Sequence, residues 1–160
     1  MSEHPFPMSP IRYGELPTAT QDRHAVFVDN FGRWLFSIRN QSLAATRRLV
    51  DDETARRALG AVRCKPYGDI AAVAPEQRDA AVALSQAALD GFIERLLWAL
   101  GDEGVDCRFD EQYAYRFRVQ TEIVNASTME VVEDAAVNRG GPFFGKNWGR
   151  WLNRFSGPVS

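Results

Sequence analysis

The chain has 160 residues, of which 45% are hydrophobic and 25% charged, and its formal net charge is −2. A chain of this length and composition can bury a full hydrophobic core without a disulfide or a metal ion. The near-neutral charge excludes a general affinity of the whole surface for polyanions. All but two of the 19 basic residues are arginine, a bias that we attribute to a GC-rich bacterial genome.

The cysteines and the N-terminus bear on the cellular compartment. Cys64 and Cys107 have no metal-binding spacing and are predicted to be buried thiols in a reducing compartment, although a disulfide between them stays open. The N-terminal residues lack the basic segment and apolar run of a signal peptide. The longest apolar run, residues 96–100, is far shorter than the ~20 residues that span a bilayer. We therefore expect a cytoplasmic protein with no membrane segment.

The N-terminal part of the chain is predicted to be an arm followed by a long helix. Residues 1–19 hold four of the eight prolines and are predicted to form an extended N-terminal arm, and residues 20–160 a single globular domain. From Phe27 onward, large apolar residues recur at intervals of three and four, which is typical of a helix. The alternative for residues 26–38 is a hairpin with its turn at residues 29–32. The apolar period is closer to 3.6 than to 2 and favours the helix.

Two further helices are predicted before the middle of the chain. The acidic residues 51–53 suit a helix N-terminus, and the short helix that follows ends at Gly60. Residues 61–74 contain a proline and a glycine and are predicted to be a loop. A long helix is predicted over residues 75–100. Its apolar stripe is Leu89, Ile93, Leu96 and Leu100, flanked by Leu84, Ala88 and Phe92.

The clearest β-strand pattern begins after this helix. Apolar and polar residues alternate from Val105 to Asp110 and again from Tyr113 to Ile123, and residues 129–133 can return as a third strand. The fold class is therefore predicted to be α+β. Long amphipathic helices would pack on one face of a small, about three-stranded antiparallel sheet, with a C-terminal aromatic and basic helix. The helix over residues 75–100 is expected to cover the sheet face formed by Tyr113, Tyr115, Phe117 and Val119.

Several patterns resemble binding motifs but lack essential parts. Residues 140–147 match the GxxxxGK spacing of a phosphate-binding loop, yet Pro142 has no N–H to offer a phosphate and two Phe side chains would crowd it. The acidic run over residues 102–111 lacks the spacing of a calcium loop and is expected to be a solvated face. His24, near Asp22, is interpreted as a satisfied polar group. We predict no catalytic residue, no cofactor and no metal, and leave open whether two carboxylates share a cleft.

The tail is the strongest candidate for a partner-binding surface. Residues 135–160 contain no acidic residue, and aromatic and basic side chains are interleaved in the segment FFGKNWGRWLNRF. Trp and Arg are enriched in protein-interface hot spots, and aromatics with Arg also suit single-stranded nucleic acid. The candidate partner-binding residues are Lys146, Trp148, Arg150, Trp151 and Arg154. The structural alternative is that the apolar stripe docks the last helix on the sheet, a stripe formed by Trp148, Trp151, Leu152 and Phe155.

A short internal repeat links the tail to the first helix. Residues 30–35, NFGRWL, recur as residues 147–152, NWGRWL, with five of six positions identical. In both copies Gly would let a neighbouring helix approach closely, and Trp would anchor the contact. The repeat favours helical structure for both segments, and it suits either a core contact or an interface between subunits.

Three functions remain open. The leading hypothesis is a non-catalytic protein-binding protein, such as an adaptor, an inhibitor or a toxin-immunity protein, because a full core and uneven charge occur without a complete site motif. The second is a small enzyme or ligand-binding domain that uses Asp, Glu and Arg in a cleft. The third is nucleic-acid binding through the C-terminal helix. We expect another protein as the partner, and the sequence does not determine the oligomeric state.

Overall fold

Helices dominate the fold. The computed structural model describes residues 9–101, 107–108, 114–115, 117–139 and 144–156. The elements in these ranges are α1 (Thr20–Asp51), α2 (Glu53–Arg57), α3 (Ala61–Ala71), α4 (Pro75–Leu100), β1 (Cys107–Arg108), β2 (Ala114–Tyr115), β3 (Gln120–Val124), β4 (Val131–Ala136) and α5 (Asn147–Phe155). Two short 3-10 helices, Tyr13–Glu15 and Phe144–Lys146, complete them. The predicted α+β class is confirmed.

The chain divides into two compact units. The first comprises Met1–Phe36 with Ile93–Ser160, and the second comprises Ser37–Phe92, so both boundaries fall inside helices α1 and α4. The expectation of a single domain over residues 20–160 stays a prediction.

The hairpin alternative for residues 26–38 is wrong, because the whole segment lies inside α1. Phe27 and Val28 are buried on the inner side of this helix, as the apolar period indicates. Gly32, the residue that made a turn plausible, stays helical and buried. Glycine here serves close packing and not a change of chain direction.

In the second unit, α2 and α3 follow α1 in close succession. The Asp52 carboxylate caps α2 by accepting hydrogen bonds from the backbone N–H groups of Thr54 and Ala55. The chain then turns at Gly60, which has a φ of 80°. The predicted loop over residues 61–74 is wrong for residues 61–71, which form α3 with Pro66 inside it. A proline inside a helix removes one backbone hydrogen bond and does not always end the helix.

A buried ion pair joins α1 to α4 within the second unit. The Arg39 guanidinium donates to both carboxylate oxygens of Asp90, with N···O distances of 2.8 and 2.7 Å. Arg39 is only 8% exposed, so the pair is largely removed from water. Two-pronged Arg–carboxylate geometry orients both side chains, and removal of one partner would leave a buried charge. The periodicity of the sequence does not reveal this pair.

In the first unit, β3 and β4 form an antiparallel hairpin. Gln120 pairs with Ala136 and Ile123 with Glu133, and the register shifts after Ile123. The Asn125 side chain accepts hydrogen bonds from two backbone N–H groups of the turn. Strands β1 and β2 form a separate antiparallel pair, so the described residues contain two two-stranded sheets where one sheet of about three strands was predicted.

The predicted long strand from Tyr113 to Ile123 is interrupted, because β2 and β3 are separate elements. Phe117, expected under the helix over residues 75–100, is 53% exposed, and Tyr113 lies outside the described residues. A buried asparagine makes a different connection. The Asn138 amide accepts from the Val119 N–H and donates to the carbonyls of Phe117 and Leu100, and so ties the end of α4 to the hairpin.

The hairpin also binds the start of α1. The Arg23 guanidinium donates to both carboxylate oxygens of Glu133, and the Tyr13 hydroxyl lies 3.2 Å from the same carboxylate. His24 Nε2 lies 3.0 Å from the carbonyl oxygen of Ala136. Because a carbonyl oxygen can only accept, this hydrogen bond requires the tautomer with a hydrogen on Nε2. Tyr13 belongs to the predicted N-terminal arm, so that part of the arm contacts β4.

We expect the Arg23–Glu133 pair to make stability depend on pH. The hydrogen bond from Arg23 holds the pKa of Glu133 below its ordinary value of 4.5, against the opposing effect of burial, with a smaller lowering from Tyr13. A lowered pKa means that the stabilisation is complete above the ordinary value and is lost as the pH falls through the folded-state pKa. Glu133→Gln should therefore lower Tm at pH 7, and the Tm difference from the wild type should shrink below about pH 4. A Tm difference that is constant from pH 7 to pH 3, measured by circular dichroism, would contradict this expectation.

Candidate interaction surface on the C-terminal helix

Helix α5 carries every candidate partner-binding residue except Lys146, which directly precedes it. Its large apolar side chains recur at intervals of three and four, so one side of the helix is aromatic and the other is polar. The helix begins directly after the 3-10 helix Phe144–Lys146, and the Ser156 N–H closes its last turn on the carbonyl of Leu152. The predicted C-terminal helix is confirmed.

The segment before α5 is packed and buried. A Cβ atom at Gly145 would lie 2.3 Å from the Trp98 ring, so only glycine fits there. The Phe144 ring is buried and stacks on Phe31 with centroids 5.8 Å apart. Gly145 belongs to the GxxxxGK match, and its backbone faces an indole ring. Residues 140–143 lie outside the described ranges.

Both tryptophans of α5 are core residues. Trp148 is 2% exposed and Trp151 0%. The Trp151 indole lies on Gly32 of α1 so closely that a Cβ atom there would be 2.2 Å from the ring. The Trp148 ring lies 6.5 Å from that of Phe36, centroid to centroid. Burial of the two tryptophans agrees with the structural alternative, but the aromatic rings that the stripe contacts are Phe31 and Phe36 of α1 and Phe144.

The Asp29 carboxylate accepts hydrogen bonds from three side chains of α5. Asp29 Oδ1 accepts from the Arg150 guanidinium at 2.7 Å and from the Trp151 indole N–H at 3.3 Å. The other oxygen, Oδ2, accepts from Arg154. The indole N–H is therefore paired although Trp151 is fully buried, as a buried polar group requires.

The outer side of α5 is basic. The side chains of Arg150 and Arg154 are 54% and 52% exposed, and Lys146 is also exposed. Gly149 lies between them, and a Cβ atom built there would meet no atom within 4 Å. We call this surface the basic face: Lys146, Gly149, Arg150 and Arg154. The two arginines share one carboxylate, that of Asp29.

The two copies of the repeat contact each other. Residues 30–35 lie in α1 and residues 147–152 in α5, and the second copy inserts Trp151 onto Gly32 of the first. The reverse contact is absent, because the Cβ position of Gly149 is open and Trp34 is 42% exposed. The repeat is therefore one asymmetric helix contact. The glycine in each copy of the repeat indicated a close helix contact. The sequence alone did not show that Gly32 contacts Trp151 and that Gly149 is open.

A second exposed surface was missed by the sequence analysis. Leu84 and Phe92, predicted to flank the buried stripe of the long helix, are 71% and 59% exposed. The buried residues of α4 are Ile93 and Leu97. Residues 80–89 carry no charge, and most of them are exposed. An uncharged exposed stretch of this length is unusual for a helix in water.

Comparison with known proteins gave no match: no protein-family model, no curated protein and no solved structure is significantly similar to this chain. In the part of the chain that the structure describes, no three His, Cys, Asp or Glu side chains gather into a metal-binding group. No helix among the described residues combines the length and hydropathy needed to cross a bilayer. Cys64 is a half-buried free thiol, and the acidic run over residues 102–111 lies almost entirely outside the described ranges.

The two glycines of the repeat should respond oppositely to the same substitution. Gly32→Ala forces a methyl group into the Trp151 ring and should destabilise the protein by about 1–3 kcal/mol. Gly149→Ala adds a methyl group in open space and should stabilise α5 by about 0.5–1 kcal/mol through helix propensity. Urea denaturation of both variants measures the difference. Equal effects at the two sites would show that α5 does not dock on Gly32.

We expect the hydrogen bond that Asp29 accepts from the Trp151 indole to contribute more to stability than the ion pairs of Asp29 with the two arginines. Asp29→Ala leaves the buried Trp151 indole N–H without an acceptor and should cost about 1–3 kcal/mol. Asp29→Asn keeps one acceptor oxygen and should cost less, because exposed ion pairs contribute only about 0–1 kcal/mol. Chemical denaturation, followed by Trp fluorescence, compares the two. An equal loss in both variants would mean that the charge is the dominant contribution.

Proposed function

We propose that the protein is a non-catalytic protein-binding protein, of the adaptor, inhibitor or toxin-immunity type, and that the basic face of α5 binds its partner. The supporting observation is the clustered positive charge: Lys146, Arg150 and Arg154 are exposed, and the two arginines, each about half exposed, share the carboxylate of Asp29. Clustered charges of one sign steer and orient partners of the opposite sign. The partner surface is therefore acidic.

The burial of both tryptophans supports the same proposal. With Trp148 and Trp151 anchored in the core, the helix that carries the cations is fixed before a partner arrives. A fixed surface loses less conformational entropy on binding than a mobile one. In this proposal the two tryptophans position the binding surface, and Lys146, Arg150 and Arg154 make the contacts.

The bonds to Asp29 do not prevent the two arginines from binding a partner. An exposed ion pair contributes about 0–1 kcal/mol, so exchanging one carboxylate for another costs little. Each guanidinium also has five N–H donors, of which Asp29 uses only a part. A partner carboxylate can thus be added without the release of Asp29.

A protein partner is favoured over nucleic acid. Single strands are bound by stacking of bases on exposed aromatic rings together with neutralisation of phosphates. The aromatic side of α5 is buried, which leaves only the charges for such a ligand. The composition of the chain also favours a bacterial cytoplasm as the location, and this is part of the proposal.

A second candidate, the ligand-binding domain, has one observation in its favour. A cleft of about 450 Å³ in the second unit is lined by charged residues of α2 and α3, with Cys64 among them. Its carboxylates are already engaged, because Glu53 pairs with Arg57 and Asp69 with Lys65. A ligand would have to compete with these pairs, so the basic face remains the better-supported site.

Charge reversal on the basic face tests the proposed function. Affinity capture from the native cells, at native expression, should recover one acidic protein with the wild type and lose it with Lys146→Glu. Arg57→Glu is the matched control, since Arg57 is 79% exposed on another helix and its reversal should leave capture unchanged. Thermal denaturation must show that both variants are folded. Equal recovery with wild type and Lys146→Glu, or recovery of nucleic acid alone, would overturn the proposal.

A further inference from the structure

The hairpin of β3 and β4 has an edge that faces away from β4. In an antiparallel pair, successive residues direct their backbone N–H and C=O groups alternately toward the neighbouring strand and away from it. The Val119 carbonyl accepts from the Val137 N–H, so the odd-numbered residues of this segment face β4. The residues that face away are Arg118, Gln120 and Glu122. We call residues 118–122 the edge segment.

The outward backbone groups of the edge segment are available to another strand. Among the residues that the structure describes, none outside the hairpin bonds to these groups. The inner row is complete by contrast, because the Asn138 side chain bonds the Val119 N–H and the Phe117 carbonyl just before the start of β3. A row of unpaired N–H and C=O groups is a template for a further strand.

Strand β4 has features that oppose such growth on its own outer edge. The register shifts within β4 at Val132, which has no counterpart in β3. Farther along, the Ala136 carbonyl is bonded by His24 of α1. An interrupted register and a covered carbonyl both hinder strand addition. The sheet can therefore grow at β3 and not at β4.

The exposed side of the hairpin holds two acidic residues directly opposite each other. Glu122 of β3 is in register with Asp134 of β4, and like charges in this position are destabilising. Asp134 accepts a hydrogen bond from the Gln120 side chain. Glu122 is exposed and forms no ion pair with any cation that the structure describes. A further strand with a basic residue opposite Glu122 would offset this repulsion.

The edge segment itself contains the required basic residue. Arg118 is exposed, and no described carboxylate pairs with it. Arg118 and Glu122 lie two residues before and two residues after Gln120, so all three side chains share one side of an extended segment. When two copies pair antiparallel about Gln120, each Arg118 therefore lies opposite Glu122 of the other copy.

We propose that two copies of this chain pair antiparallel through their edge segments, centred on Gln120, and form one continuous four-stranded sheet. Each of the three facing pairs exchanges two backbone hydrogen bonds, because all of them present outward N–H and C=O groups. The Arg118–Glu122 pairs add charge complementarity at both ends. The obstructed outer edges of β4 end the sheet there, so the assembly closes as a dimer. This inference does not rest on the basic face of α5.

Other two-fold centres on this edge are less complementary. A centre at Glu122 places two glutamates directly opposite each other, which adds a like-charge contact to that with Asp134. A centre at Thr121 places Glu122 opposite Gln120 and leaves Arg118 opposite Val124. The centre at Gln120 pairs both charges of the edge segment with opposite charges.

Paired charge reversals test the dimer. Sedimentation equilibrium of the full chain should show a monomer–dimer equilibrium with a Kd on the order of micromolar, since the paired edges are short. Arg118→Glu and Glu122→Arg each place two like-charge pairs across the two-fold axis and should each raise this Kd by about tenfold or more. The double variant exchanges the two charges and should restore the Kd to within about threefold of the wild type.

Glu130→Arg is the matched control, because Glu130 is an exposed acid of the same hairpin that lies outside the edge segment. This substitution should leave the Kd unchanged. Thermal denaturation followed by circular dichroism shows whether each variant is folded. A wild type that stays monomeric up to several hundred micromolar, or a double variant that dimerises no better than the single ones, would overturn the proposed dimer.

Disulfide cross-linking tests the register independently of the charges. In a chain with Cys64→Ser and Cys107→Ser, Gln120→Cys should form an intermolecular disulfide under mild oxidation. The reason is that hydrogen-bonded pairs of antiparallel strands have Cα atoms about 5.5 Å apart, which a disulfide can span. Glu130→Cys in the same background is the control and should stay monomeric on a non-reducing gel. Equal cross-linking at the two positions, or none at residue 120, would contradict pairing about Gln120.

Discussion

The first unit depends on the placement of one indole ring, that of Trp151, on Gly32 of α1. Burial of an indole of roughly 200 Å² stabilises the folded state by about 5 kcal/mol. The exposed ion pairs to Asp29 contribute about 0–1 kcal/mol each, so packing holds α5 in place and the ion pairs orient it. Phe31, Phe36 and Phe144 complete the aromatic cluster around the two tryptophans of α5.

This separation of roles explains how a helix of nine residues can be a core element and also carry the proposed binding surface. Its aromatic side is packed in the core, whereas Arg150 and Arg154 on its basic side contact Asp29 and stay about half exposed. Substitutions on the basic side should therefore change recognition more than folding, and substitutions on the aromatic side should do the reverse. Gly32 and Gly149 show the contrast at equivalent positions of one repeat, since one is covered and the other open.

Buried polar groups make connections elsewhere that apolar patterning does not predict. Asn138 ties the end of α4 to the hairpin through three backbone groups, and Arg39 with Asp90 joins two helices of the second unit. Such groups specify a geometry because any other arrangement would leave a buried donor or charge unpaired. The predicted packing of the long helix on a sheet face missed Asn138, and Phe117 of that face is half exposed.

Local pattern determined much of this protein. The period of apolar residues predicted α1, α4 and α5, because helix formation depends on which residues three and four apart can share one buried side. It failed for α3, where a proline and a glycine indicated a loop, and for the sheet, where alternation could not reveal an interruption between β2 and β3. The composition of α5 identified the candidate residues. Only the tertiary structure decided which of them are inside, because burial of Trp151 requires Gly32, a residue more than 100 positions away in the chain.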